Sequence, residues 1–126
     1  MHVDTPPTLP RNHLRPCLLL LLREQPSHGY ELLERLRPFG FVREDPGGLY
    51  RALRALERDG LVRSAWEPSS EGPDRRIYEL TRGGMEELHR RAKALTSLRE
   101  ALDVFLSRYG EFVSLTPAPE RALHRR

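Results

Sequence analysis

The strongest constraint on this chain lies in its last third. From Met85 to Phe112 the apolar residues Met85, Leu88, Ala92, Leu95, Leu98, Leu102, Phe105, Tyr109 and Phe112 recur at steps of three and four, with one irregular step from Leu95 to Leu98. That is the period of an amphipathic helix, running from about Thr81 to Phe112. Nearly 30 residues at 1.5 Å each make a rod of about 45 Å. The part of the chain before it, a core of roughly 70 residues, cannot cover such a rod. The apolar seam needs another surface, and a second copy of the same chain is the simplest supplier. Leu88, Leu95, Leu98, Leu102, Phe105 and Tyr109 are therefore the expected dimerisation contacts. Phe105, Tyr109 and Phe112 would also suit an effector cavity between subunits.

With 126 residues the chain has room for one modest core. Its only cysteine, Cys17, cannot form an internal disulfide, which excludes a stapled secreted scaffold. Cys17 lies in a leucine run and reads as small core filler. There is no His/Cys cluster with metal-ligand spacing, and no cofactor is expected. The longest apolar run, 17–22, falls far short of the roughly 20 residues that a membrane span needs. Arg23 and Glu24 follow it at once, so it does not read as a signal-peptide core either. The expectation is a protein of the cytoplasm with no membrane role. There are no paired carboxylates, no Gly-rich phosphate loop after a strand and no nucleophile–base pair, so an enzyme is not expected.

The expected organisation is a tail at 1–11 (Pro6, Pro7, Pro10), a compact domain at 12–80, the long helix at 81–113 and a basic tail at 114–126 that ends in Arg125 and Arg126. Asn12 can cap a first helix to Glu24, with Leu14, Cys17, Leu18, Leu21 and Leu22 at helical spacing and Pro16 near the first turn. Ser27 can cap a second helix from His28 to about Arg37, which Pro38 and Gly40 end. Asp45, Pro46 and Gly60 delimit a third helix as cap, first position and stop. Phe39 and Phe41, in the loop before it, suit either a hinge or a core plug. Residues 61–67 and 75–80 alternate around a Pro/Ser/Gly-rich loop and read as a β-hairpin. Thr81 caps the last helix. Trp66 is expected to pack between hairpin and body.

The order helix, helix, helix, hairpin is that of the winged helix-turn-helix, whose third helix enters the DNA major groove. The fold class is thus mainly α with a small β-hairpin and a long C-terminal dimerisation helix. On the third helix Leu49, Ala52, Leu53 and Leu56 share one side. Gly47, Arg51, Arg54 and Arg58 lie nearly opposite, with Tyr50 at the edge. An arginine stripe suits phosphate oxygens and guanine edges. It would equally serve as a solvated face, with Arg54 and Arg58 paired to Glu57, Asp59 or water. Gly47 and Gly48 would let backbone N–H groups approach a phosphate. Total charge does not decide the matter: the net is only +3. Twenty of the 21 basic residues are Arg, which fits either phosphate recognition or a GC-rich genome.

Leu-Leu-Arg-Glu-Gln-Pro-Ser-His-Gly-Tyr-Glu-Leu (21–32), Pro-Gly-Gly-Leu-Tyr-Arg-Ala-Leu-Arg-Ala-Leu-Glu-Arg-Asp-Gly-Leu-Val (46–62), Trp66-Glu67, Gly-Pro-Asp-Arg-Arg-Ile-Tyr (72–78) and Leu-Thr-Arg-Gly-Gly (80–84) resemble the PadR family of bacterial transcriptional regulators. The resemblance spans about residues 12–113. It implies a homodimeric winged-helix repressor that binds double-stranded DNA at an inverted repeat and is released by an effector. Position by position, it implies DNA-binding roles for His28 and Tyr30 at the second helix and for Gly47, Gly48 and Tyr50 at the recognition helix. In the wing it matches Gly72, Pro73, Arg75, Arg76 and Tyr78. Where the family usually carries Thr or Ser, this chain has Gly48, so a hydroxyl contact is missing. Residues 16–22 and 38–41 look most like the polyhydroxybutyrate-responsive repressors of that family, which implies a small-molecule or polymer effector. The alternative is a winged-helix module that binds protein and not DNA.

Overall fold

The computed structural model describes residues 9–68, 72 and 75–115. The chain divides into two units, residues 1–91 and 92–126. In the first, helices α1 (Leu14–Glu24), α2 (Gly29–Arg35) and α3 (Pro46–Arg58) surround a leucine core. A three-stranded antiparallel sheet completes it, with β1 (Ser27–His28), β2 (Val62–Glu67) and β3 (Arg75–Leu80) in the order β1-β3-β2. Helix α4 (Arg82–Leu115) begins in the first unit, and its residues from Ala92 on form the second. The fold is a winged helix followed by a long C-terminal helix.

Leu18, Leu19, Leu32, Leu36, Leu49, Leu53, Leu56 and Val62 are fully buried. Each such side chain contributes roughly 1.5–3 kcal/mol relative to exposure. Cys17 is buried among them, and desolvation pushes its thiol up to about 11, as befits core filler. Phe41 is buried and Phe39 half-buried against the same cluster, so both plug the core.

The first two helix starts differ from the sequence expectation. Asn12 lies inside a short 3-10 turn, Arg11–His13, and caps nothing; α1 follows directly from that turn. Ser27 is a strand residue and not a cap. Its Oγ donates to the Gln25 carbonyl and accepts from Arg35. The cap of α2 is His28, whose backbone N–H donates to Glu31 Oε1 at 2.8 Å. The helix is correspondingly shorter than expected, ending at Arg35. Strand β1 itself is an addition to the expected elements: Ser27 pairs with Tyr78 and His28 with Ile77. Thr81 caps α4 as expected, its Oγ accepting from the Gly84 N–H at 3.0 Å.

Of the expected N-terminal tail, residues 9–11 are tied down. The Leu9 N–H donates to the Phe39 carbonyl, and Arg11 pairs with Glu44. Residues 114 and 115 close α4; the expected tails at 1–8 and 116–126 lie outside the described residues.

Within the first unit Leu88 packs against the leucine core. Further along α4, Leu95 is half-buried, and Leu98, Leu102, Phe105, Tyr109 and Phe112 are exposed.

Candidate nucleic-acid interface

Helix α3 forms where the sequence places it. Asp45 caps it by accepting the Gly48 N–H at 3.2 Å, and Pro46 takes the first helical position. Gly60 follows with φ +78°, a conformation that glycine adopts without strain. Leu49, Leu53 and Leu56 are buried, while Gly47, Arg51, Arg54 and Arg58 are exposed. The acidic neighbours have partners of their own. Asp59 pairs with Arg15 at 2.8 Å, and Glu57 accepts from Ser64 Oγ at 2.8 Å. Among the described residues no ion pair joins Arg51, Arg54 or Arg58 to a carboxylate.

The start of α3 corrects one expectation. Gly48 is buried and its N–H is spent on Asp45, so it offers no backbone donor to a phosphate. The Glu44 carboxylate also lies there, its side chain only 2% exposed, held by Arg11. Asp45 thus takes a helix N–H and a second carboxylate, Glu44, lies beside the first turn, so two negative charges already face the positive end of the helix. Gly47 stays exposed, close to the Arg51 guanidinium.

The hairpin supplies the second wall. In its register Val62 faces Leu80, Ser64 faces Tyr78 and Trp66 faces Arg76. These pairs share one face of the sheet. That face runs from the core at Val62 out to solvent at Trp66, which is 63% exposed. Trp66 therefore does not pack between wing and body. Instead the Arg76 guanidinium lies 4.9 Å from its ring centre. Arg76 Nε donates to Ser64 Oγ at 2.9 Å. A groove of about 980 Å³ separates α3 from the hairpin, lined by Tyr50, Arg54, Arg58, Trp66, Arg75 and Arg76 together with Glu57 and Tyr78.

Tyr30 joins this surface through the wing, since Arg75 Nη1 donates to its hydroxyl at 2.8 Å. His28 is buried behind it and stacks on the Tyr30 ring. Its Nδ1 lies 3.1 Å from Glu31 Oε1 and its Nε2 lies 2.7 Å from Glu67 Oε1. The His28 backbone N–H holds the Glu31 carboxyl below the ordinary carboxylate range. His28 thus ties the start of α2 to the base of the wing, and on this placement it acts behind the surface. Gly72 is exposed with φ +104°, and Pro73 lies outside the described residues.

Of the expected site residues, the structure brings Tyr50, Arg54, Arg58, Arg75 and Arg76 around one groove, with Tyr30 beside it. Gly47 and Arg51 occupy the same face of α3 nearer its start. Sequence reasoning misses Trp66, Ser64 and Glu57 as members of the site. The alternation of β2 holds the signal for two of them, because Trp66 and Ser64 fall on the face of Val62.

The glycine of the His-Gly-Tyr run has a packing cause. A Cβ on Gly29 would stand 2.5 Å from Tyr50 Oη and 2.6 Å from Tyr50 Cε1. Gly29→Ala should therefore displace the Tyr50 ring. We expect a loss of about 1–2 kcal/mol, overpacking offset in part by the lower chain entropy of alanine. Thermal unfolding should show a Tm lower by several degrees, and Gly29→Ala/Tyr50→Ala should lose less than the sum of the single changes.

The profile of the Transcriptional regulator PadR-like family matches residues 18–90. A curated protein of Mycobacterium tuberculosis, named Probable transcriptional regulator Rv1176c, is 36% identical over 76 residues, which are 59% of this chain and 40% of that protein. The crystal structure of a PadR-like transcriptional regulator from Bacillus cereus superposes with a TM-score of 0.69 at 26% identity, covering 76% of this chain and 93% of that one. A PadR family transcriptional regulator from Eggerthella lenta gives 0.67 at 29% identity, over 76% and 83% of the two chains. No described helix is long and apolar enough to cross a membrane. The winged helix and these likenesses agree: the chain belongs to the PadR-like family of DNA-binding transcriptional regulators.

Proposed function

We propose that the protein is a homodimeric repressor that reads an inverted-repeat operator and is released by an effector. Helix α3 enters the major groove, and the wing lies along the adjacent backbone. The observation that carries this reading is the groove between α3 and the hairpin. Four arginines line it against one carboxylate, Glu57, which accepts from Ser64, while Asp59 pairs with Arg15. The dimer rests on the exposed apolar side chains of α4 beyond Leu95. A polymer or small-molecule effector rests on the resemblance of residues 16–22 and 38–41.

Mobility shift on the region upstream of its own or a neighbouring gene tests the reading. Binding should be selective for sequence and should weaken steeply with salt. Arg51→Ala should relax base preference at about 1–3 kcal/mol, whereas Arg76→Ala should weaken all sequences alike. Absence of salt-sensitive, sequence-selective binding overturns it. If reversing the charge of Arg51 and Arg54 leaves DNA affinity intact but removes a protein partner, the interaction-module reading replaces it.

A further inference from the structure

Trp66 does not serve the buried core. Strand β2 leaves the core after Ser64, so the indole contributes nothing to the buried cluster. An aromatic ring of this size gains its stabilisation by leaving water, and 63% of it remains exposed. What does hold it is Arg76, across the strand pair at 4.9 Å. Arg76 is itself fixed: its Nε donates to Ser64 Oγ, which donates to Glu57 of α3. The chain Glu57, Ser64, Arg76, Trp66 therefore links the recognition helix to an exposed indole at the rim of the arginine groove. With Nε committed to Ser64, no hydrogen bond to another described residue takes the Nη groups of Arg76, which can act as further donors.

We propose that Trp66 and Arg76 form one composite contact to the sugar–phosphate backbone of duplex DNA. The indole packs on the deoxyribose, and the Arg76 guanidinium bonds the neighbouring phosphate. This contact holds the wing against the duplex and reads no bases. The partner follows from charge: Arg54, Arg58, Arg75 and Arg76 line the same groove as the ring, against the one carboxylate of Glu57. The inference rests on the DNA-binding reading above and assigns to Trp66 a role within it.

Trp66 is the only tryptophan of the chain, so indole emission, excited at wavelengths beyond the tyrosine band, reports on this site alone. Because the contact ignores sequence, the probe is a mixed-sequence duplex of about 25 base pairs at low salt, roughly 50 mM, where backbone binding is strong. Duplex binding is followed independently by the anisotropy of a dye on the DNA. Indole emission should change in parallel with the anisotropy. Trp66→Ala should lower affinity about tenfold on every sequence, with the Tm unchanged, and Trp66→Phe should retain part of it. DNA that binds by anisotropy with unaltered indole emission, and with full affinity in Trp66→Phe and Trp66→Ala, overturns this inference and leaves the DNA-binding reading standing. If no duplex binds under any salt condition, both fall. Should Trp66→Ala fail to fold, the emission of the unmodified chain and the Phe variant still decide.

Discussion

Replacing Arg54 and Arg58 together by Glu should abolish operator binding while leaving the fold intact. Both side chains are exposed on α3, and neither has an ion-pair partner among the described residues. Each lost contact costs about 1–3 kcal/mol, so losing both costs about 2–6 kcal/mol before any repulsion from the new carboxylates. That is a weakening of roughly 30-fold to more than 10⁴-fold. The charge-neutral pair, Arg54→Gln/Arg58→Gln, should retain part of the binding. It should also flatten the slope of log affinity against log salt by up to about 2, because two fewer cationic side chains displace counterions on binding. Circular dichroism and Tm should not change. An unaltered affinity in the Glu variant would show that this face of α3 is not the DNA surface.

Phe105→Asp should convert the protein to a monomer. Phe105 is 64% exposed, and Leu98, Leu102, Tyr109 and Phe112 are exposed on the same helix. If that seam closes on a second copy, the introduced carboxylate would stand without a partner in a dry interface. The cost is about 3–5 kcal/mol, which raises the dissociation constant by roughly 10² or more. Sedimentation at micromolar concentration should then give a single chain of 14.6 kDa. Helicity should fall with it, because an isolated amphipathic helix is marginal in water. Operator affinity should drop as well, since two half-sites would no longer be held by one molecule. A dimer that survives the substitution places the interface elsewhere.

The sequence is most informative where a feature is local. Helix α3 is bounded by Asp45, Pro46 and Gly60, each acting within its own turn, and its limits can be read directly. The arginine face follows from helical period alone. What escapes is non-local. Strand β1 is two residues long, and Ser27 and His28 become a strand only because Tyr78 and Ile77 come alongside. Read alone, Gln25-Pro26-Ser27 looks like a break followed by a cap. Trp66 is misplaced for a related reason. Alternation shows which residues share a face, but not where that face leaves the core. The first turn of α3 is the third case. Gly-Gly suggests open backbone, yet the carboxylate of Glu44, anchored by Arg11 33 residues upstream, fills the space above Gly48.

That last arrangement limits how far this regulator can be re-engineered. A Cβ on Gly48 would meet Glu44 Oε2 and Asp45 Oδ1 at 2.8 Å, and Arg11 Nη2 at 3.3 Å. A new operator preference is often sought by grafting the recognition helix of one regulator onto another. Here a donor helix carrying Ser or Thr at position 48 would press on the buried Glu44 carboxylate and on its pairing with the exposed Arg11. The unit of exchange is therefore not residues 46–58 but the helix together with Glu44 and Arg11. The amino-terminal segment, far from the helix in sequence, belongs to the specificity cassette.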